Sequence, residues 1–448
     1  MESWRGARLW YRPPMPSDTP RHVVAIVGGA TAGAEAAGLL ADRGVVCVVF
    51  EQNPRPYGKI EDGLPRWHVK LRQKEYQTIN ARLAKPGVYF VPCTKIGRDV
   101  QFRALVRDWG FTSVVLAHGA WRDRPLPVDG ADLYVGKGLI YQNPFIYWFN
   151  HFMERGYDGP RYEAMDGAIV VGGGLASIDV MKALQIEVVR ATLKQRGIEM
   201  DALELEHEGI PAALAARGLS WAQLGLQGTT LYYRRRIEDM PLAEVPEGAD
   251  AARQEKFEAT RRRILEKAMQ KYSFQVRPLM VPIGLVVEGD RLVGLQFQHT
   301  RVERGQVVPI PGQIEEIRSP LTVSSIGSIP EPMEGIAQDG VLYRYVDPYL
   351  GRLEGYETVF SAGNVVTGKG NILASRKHAV EVSTHVADSF LSLNGKASQL
   401  AEVVRRQPPL APAQVETLLG RVRARQQAVG YDGDYPGWIA RVTPPDLA

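Results

Sequence analysis

Two stretches of this sequence end in charges of opposite sign, and each follows a glycine-rich turn. The first, "HVVAIVGGATAGAEAAGLLADRGVVCVVFEQN", arrives at a carboxylate, Glu51; the second opens with "GAIVVGGGLASIDV" and arrives at "TTLYYRRRIEDMP", with Arg234, Arg235 and Arg236 in a row. A carboxylate about 20 residues beyond such a turn is placed to accept hydrogen bonds from ribose hydroxyls and disfavours a phosphorylated ribose. Guanidinium groups do the reverse, because their fork makes charge-assisted, often bidentate bonds to phosphate oxygens. The two strand ends are therefore expected to take different dinucleotides, an unphosphorylated ribose at Glu51 and an NADP-type 2′-phosphate at the arginines.

Each charged end depends on the elements that deliver it. In the first unit an apolar strand runs into Gly28, which makes the tight turn; Ala30 stands where a second glycine would let pyrophosphate reach the backbone, and Gly33 lets helix and strand pack closely. The helix N-terminus offers unpaired N–H groups and its dipole to an anion, and Gly44 stops the helix before the strand that carries Glu51. The second unit repeats the plan with Gly172, Gly174 and, at the third position, Ser177, but its next strand arrives only after a charged, Leu-rich helical stretch over residues 185 to 226. Three arginines can also be a solvated strand end, and the upstream glycine turn is what favours the phosphate. A third signal, "GYETVFSAGNVVTGKGNILASRKHAVEVSTHVADSF", ends a strand at Ala362, turns at Gly363 and Asn364, and starts a helix after Gly370 whose first-turn N–H groups could face an electron-rich ring carbonyl. "SVVLAHGAW" and "LTVSSIGSIPEP" read as the two crossings between a first domain and one inserted into it. The predicted fold is α/β, with two Rossmann-like dinucleotide-binding domains. One, over 122–325, is inserted into a discontinuous domain of 1–121 and 326–394 that begins with an N-terminal extension over 1–21, and a helical C-terminal extension follows over 395–448.

With 448 residues, 45% hydrophobic, 23% charged and 45 glycines, the chain has the composition of an α/β protein of two or three domains. A net charge of +4 supplies no bulk field directed at nucleic acid. Two cysteines, Cys47 and Cys93, are too few for a disulfide framework, a four-cysteine zinc site or a protein-held iron–sulfur cluster. No apolar run approaches the roughly 20 residues of a membrane helix, and the N-terminal residues lack the apolar core of a secretory signal. "YRPPMPSDTP" would break the amphipathic helix of a mitochondrial presequence, so a cytoplasmic location with no membrane partner is expected.

Taken with "RPYGKIEDGLPRWHVK", "GRDVQF", "GGGLASID", "YRRRIEDMP", "LTVSSIGSIP" and "AGNVVTGKGNI", residues 22 to 392 resemble the adrenodoxin reductase-like ferredoxin–NADP reductases. These are two-dinucleotide-binding-domain flavoproteins, with the small subunit of glutamate synthase as a cousin. The resemblance implies that Gly28, Ala30, Thr31, Ala32, Gly33, Glu51, Gly58, Lys59 and Ile96 line FAD. Gly363, Asn364, Gly370, Asn371 and Ile372 would hold its ribityl and isoalloxazine end. Gly172, Gly173, Gly174, Leu175, Ala176 and Ser177, with Arg234 and Arg235, would hold NADP(H), and His68 with Asp179 would carry a proton as catalytic residues. The chain departs from the pattern at Asn364, where the wider superfamily has Asp and the resembled group Trp, and at His118, where Thr or Tyr is usual.

The implied reaction is hydride transfer between NADP(H) and FAD, followed by electron transfer to a protein carrier. No C-x-x-C or flavin-facing cysteine pair exists to take electrons internally, and the F-x-G-x-x-x-H-x-x-x-W-like signature of related monooxygenases is absent. Ferredoxin or flavodoxin is the expected acceptor. Such carriers are acidic, and Arg261, Arg262, Arg263, Lys267 and Lys271 offer a basic helix face, although the same residues also read as a solvated face with internal ion pairs. One alternative is an electron-input subunit of a larger oxidoreductase, against which stands the lack of a cysteine-rich cluster region; another is a flavin-based redox sensor. A monomer or homodimer is expected, and the C-terminal extension, with its hinge "QPPLAPAQ", could clamp a partner or complete a dimer.

Overall fold

A computed structural model describes residues 19–245, 248–368, 370–393 and 407–444, so most of the N-terminal extension, Lys369 of the third motif and the start of the C-terminal extension lie outside it. The chain divides into two compact units: Met1–Leu64, His68–Arg122 and Ser328–Ala448 form the first, and Pro65–Trp67 with Asp123–Gly327 the second.

In the first unit, Val23–Val27 is a run of five buried apolar residues, the pattern of a strand covered on both faces, and it lies at the centre of a wholly parallel sheet. The order is Val359–Ser361, Ser113–Leu116, Val23–Val27, Val46–Phe50, Val88–Val91, so the chain reverses direction of travel across the sheet at the strand that ends in Gly28. Ligands of open parallel sheets bind at that reversal, beyond the strands' carboxyl ends. The helix Thr31–Asp42 that follows the turn is built from small residues, with Ala34, Ala36, Ala37 and Gly38 buried. At Gly38 a β-carbon would meet the Arg82 side chain at 2.4 Å. That approach lets Arg82 reach Glu35 at 2.8 Å, while Arg376 reaches Glu75 at 2.5 Å, so buried carboxylates tie Thr31–Asp42, Val69–Leu83 and Ile372–His385 together.

The C-terminal extension belongs to this unit. Pro412–Ala428 presents Val415, Leu418, Leu419 and Val422 to the cluster that contains Phe50 and Phe111, and Tyr435–Val442 brings Tyr435 and Trp438 to the cluster around Phe90. The segment before them is pinned by a two-bond bridge between Arg21 and Leu410, at 3.0 and 2.9 Å.

The second unit has its own parallel sheet, in the order Leu139–Tyr141, Thr322–Ser325, Ile169–Gly172, Thr230–Tyr233, Gln275–Pro278. The helical stretch expected over 185 to 226 is the end of the long helix Leu175–Gln195 followed by Ala202–Glu208, Ile210–Ala215 and Trp221–Leu224. An antiparallel sheet of Met280–Glu288, Arg291–Glu303 and Gln306–Arg318 completes the unit and was not anticipated from the sequence. Its Phe297 stacks on Tyr232 with ring centres 4.3 Å apart, which anchors it beside the strand that leads into the arginines. The expected architecture, two Rossmann-like units of which one is inserted into the other plus a helical C-terminal part, is the architecture found. Among the described residues no helix is long and apolar enough to cross a membrane.

Candidate functional site

The two glycine turns are built alike. Gly28 has φ +98°, and a β-carbon there would lie 2.7 Å from the Ala117 carbonyl oxygen at the end of the neighbouring strand. A β-carbon on Gly33 would stand 1.8 Å from the Gly28 oxygen, so only glycine permits this approach of helix to strand. Ala30 carries a methyl where the motif has glycine, and the chain accommodates it at Gly58: a β-carbon on Gly58, whose φ is +49°, would be 2.9 Å from that of Ala30. In the second unit a β-carbon on Gly172 would lie 2.4 Å from the Ser325 oxygen, again at the end of the neighbouring strand, and one on Gly173 would strike the Tyr233 ring at 2.2 Å. Gly174 faces open space. Ser177 replaces the third glycine usefully: its hydroxyl accepts from the Gly173 N–H and donates to the Ser325 oxygen, both at 3.0 Å, and stitches turn to sheet.

Neither helix that leaves these turns has a side-chain cap at its N-terminus, where Ala30 and Gly174 stand. The first-turn N–H groups, which include those of Thr31, Ala32 and Gly33 in one unit and Leu175 and Ala176 in the other, are the kind of donors a pyrophosphate requires, while the Ser177 N–H donates to the Gly174 oxygen at 3.0 Å. The residues fit a dinucleotide in both places.

The strand ends differ as their charges require. Glu51 is 5% exposed and accepts from the Gly29 N–H at 2.8 Å and the Asn53 N–H at 2.9 Å. Burial pushes its carboxyl up to about 7, against the pull of those N–H groups. In the second unit the three arginines divide. Arg236 is held bidentately by Asp239, at 2.9 and 3.1 Å, and that guanidinium keeps the Asp239 carboxyl below the usual carboxylate range. Arg235 donates to the Gly305 oxygen at 2.9 Å and lies 3.6 Å from Asp239. The Arg234 side chain is exposed and its guanidinium has no hydrogen bond or ion pair among the described residues.

Around the first turn, Lys59 reaches Ser328 at 2.9 Å and lies 5.6 Å from the centre of the Trp121 ring; Ile96 is buried. At the third motif, Gly363 has φ +77° and its N–H donates to His378 Nδ1 at 3.0 Å, while His378 Nε2 donates to the Tyr349 oxygen at 2.8 Å. Asn364 accepts from the Ser375 hydroxyl of the helix Ile372–His385 at 2.7 Å and donates to the Gly370 oxygen of its own loop at 3.3 Å, so its amide ties the loop to that helix. Asn371 caps the helix Ile372–His385 through the Ala374 N–H at 2.9 Å, which leaves the N–H groups of Ile372 and Leu373 to face a carbonyl. His68 stands at the N-cap position of Val69–Leu83 in the first unit without a side-chain cap bond, and Asp179 sits on Leu175–Gln195 in the second, 3.6 Å from Lys182.

His118, Tyr343, Ser375 and His378 were not singled out as site residues from the sequence. Tyr343 commits its one proton to the Glu331 oxygen at 2.5 Å, so at 3.2 Å it accepts from His118 Nε2, and burial keeps that imidazole neutral by moving it down to about 4. The Ser375 and His378 pair was within reach of sequence, since spacing of three on a helix puts both on the face toward the Gly363 turn. The expected docking face also changes. Arg261 donates to the Glu238 oxygen and the Ala243 oxygen, each at 2.9 Å, and Arg262 pairs with the Glu238 carboxylate at 2.5 Å; the exposed members are Arg262, Arg263 and Lys267.

No family profile matches the chain. Over 330 residues it is 28% identical to an NADPH-Fe(3+) oxidoreductase subunit beta of Geobacter sulfurreducens, which covers 71% of this chain and 39% of that protein. Over 178 residues it is 30% identical to a glutamate synthase (NADPH) small chain of Mycobacterium tuberculosis, covering 38% of this chain and 35% of that one. The chain thus matches well under half the length of these relatives. A solved structure of Mycobacterium tuberculosis FprA in complex with NADPH superposes with a TM-score of 0.65 at 21% identity, over 91% of both chains. The likeness to FprA is one of fold, and with the sequence relatives it bears out the resemblance to adrenodoxin reductase-like proteins and the glutamate synthase small chain.

Proposed function

We propose that this chain is an NADPH-dependent flavoprotein oxidoreductase that holds FAD in its first unit and NADP(H) in its second, and that passes electrons to an acidic protein carrier such as ferredoxin or flavodoxin. The observation that carries this reading is the contrast between two like turns, one closed by buried Glu51 and the other by exposed Arg234. Bound FAD would supply hydride acceptance from a nicotinamide and release of single electrons to the carrier. The chain's own residues bind and orient. Uncapped helix termini receive the pyrophosphates, Glu51 accepts from ribose hydroxyls, and the Ile372–His385 terminus offers N–H groups to a ring carbonyl. His68 is the proposed proton carrier of the first unit. Both cysteines are free and Cys47 is buried, which favours an external acceptor over an internal disulfide.

Anaerobic addition of NADPH to the purified protein is expected to bleach its visible flavin absorption, with NADH far less effective, and dye reduction should show the same preference. A colourless folded protein, or equal response to the two nucleotides, defeats the reading. A second reading, an electron-input subunit, is favoured by relatives described as a subunit beta and a small chain. Size-exclusion chromatography of native extract distinguishes them, since a lone reductase elutes as monomer or dimer.

A further inference from the structure

The segment after the arginine strand is a short 3-10 turn, Ile237–Asp239, leading to Met240 and Leu242, both buried. A turn of this length, beside three like charges, has little reason of its own to hold one conformation. Asp239 draws Arg235 and Arg236 back onto it, and the Tyr233 hydroxyl donates to the Asp239 oxygen at 3.0 Å. Two further carbonyls of the loop are taken by a side chain 18 and 23 residues further along the chain. Arg261, on the helix Ala251–Tyr272, sends one nitrogen to the Glu238 oxygen and another to the Ala243 oxygen, each at 2.9 Å.

One planar guanidinium thus spans the two sides of the loop. Arg262 meets the same loop through the Glu238 carboxylate, but with its side chain 56% exposed that pair is screened by solvent. Resting on the assignment of NADP(H) to this unit, we propose that Arg261 is a positioning residue for coenzyme choice. It fixes the 237–243 loop so that Asp239 keeps Arg235 and Arg236 while Arg234 is presented to the 2′-phosphate. Lysine cannot replace it, because an ammonium on a flexible stem lacks the rigid fork that reaches both oxygens. Arg261 touches no phosphate in this assignment and acts only through the loop. The preference for NADPH over NADH is then set partly by a residue that sequence spacing places on a basic helix face.

The test is equilibrium titration of the flavin-containing protein with NADP+ and with NAD+, for the parent, Arg261→Lys, Arg261→Ala and Arg234→Ala. Arg261→Lys is expected to weaken NADP+ binding about tenfold, as the loss of one charge-assisted contact does, and to leave NAD+ binding unchanged. Arg261→Ala should do the same or more; if it fails to fold, the lysine variant decides. Equal weakening of both nucleotides would make Arg261 a support of the unit at large and overturn the proposal, as would an unchanged ratio in Arg261→Lys. If Arg234→Ala also leaves the ratio unchanged, the assignment of the 2′-phosphate to this strand end is what fails; if Arg234→Ala abolishes it while Arg261→Lys does not, only the staple is wrong.

Discussion

At the scale of single residues, the charges that close the two strands were legible in the sequence and their states were not. Glu51 could be placed beyond the glycine turn by counting, but its burial and the backbone N–H groups of Gly29 and Asn53 that its carboxylate accepts from are not reported by spacing. The arginines were legible as a cluster. Their division was hidden, because it requires Asp239 to fold back within one 3-10 turn. The state of Glu51 has a measurable consequence in the protein stripped of nucleotide. Its carboxyl titrates at about 7 when folded against an ordinary value of 4.5, so between those pH values the unfolded chain has released a proton that the native chain still holds. Stability therefore falls as pH rises through that window, by about 3 kcal/mol in all, and is level above it. Glu51→Gln should remove this slope. Urea unfolding of the stripped proteins at pH 5 and pH 8 checks it, and parallel behaviour of parent and variant would show that Glu51 is ionised throughout.

At the scale of elements, the turns, the strands that feed them and the helices that leave them could be read because local pattern fixes them: β-branched runs, glycine at a crowded bend, small residues on the packed helix. The antiparallel sheet after Gln275–Pro278 could not, since its strands alternate irregularly and bulge between Gln298 and Thr300. The C-terminal helices were legible as helices but their destination was not, because an apolar stripe of Val415, Leu418, Leu419 and Val422 does not say what covers it. They cover the edge of the first unit's own sheet. Gln426 donates to the Phe90 oxygen at 2.7 Å, Trp438 to the Pro54 oxygen at 2.7 Å, and Tyr435 to Asn80 at 2.7 Å, so the last helix braces the loop that begins at Glu51. An edge strand so covered is also closed to pairing with other chains. Trp438 is 6% exposed and packs edge-on to Tyr431, so Trp438→Ala should lower the unfolding free energy by about 3–5 kcal/mol. Chemical denaturation measures this; a loss below about 1 kcal/mol would mean that the extension is dispensable to its unit.

At the scale of the whole molecule, the division into two units with separate cores and separate glycine turns argues that each binds its nucleotide on its own terms. Mutations at sites with no shared partners tend to act independently, and Glu51 and Arg234, in separate units, share none among the described residues. Glu51→Ala should therefore yield protein that is poor in flavin but retains parental affinity for NADP+, because the arginine strand end is intact. Arg234→Ala should yield protein with its full complement of flavin and weakened NADP+ binding, because a phosphate has lost its one uncommitted guanidinium while the first unit is untouched. The ratio of flavin to protein and an NADP+ titration read the two effects separately. If Arg234→Ala were to lose flavin, or Glu51→Ala to lose NADP+ affinity alone, the two cofactors would have to be exchanged between units, and the opposite charges at the two strand ends would no longer explain which nucleotide goes where.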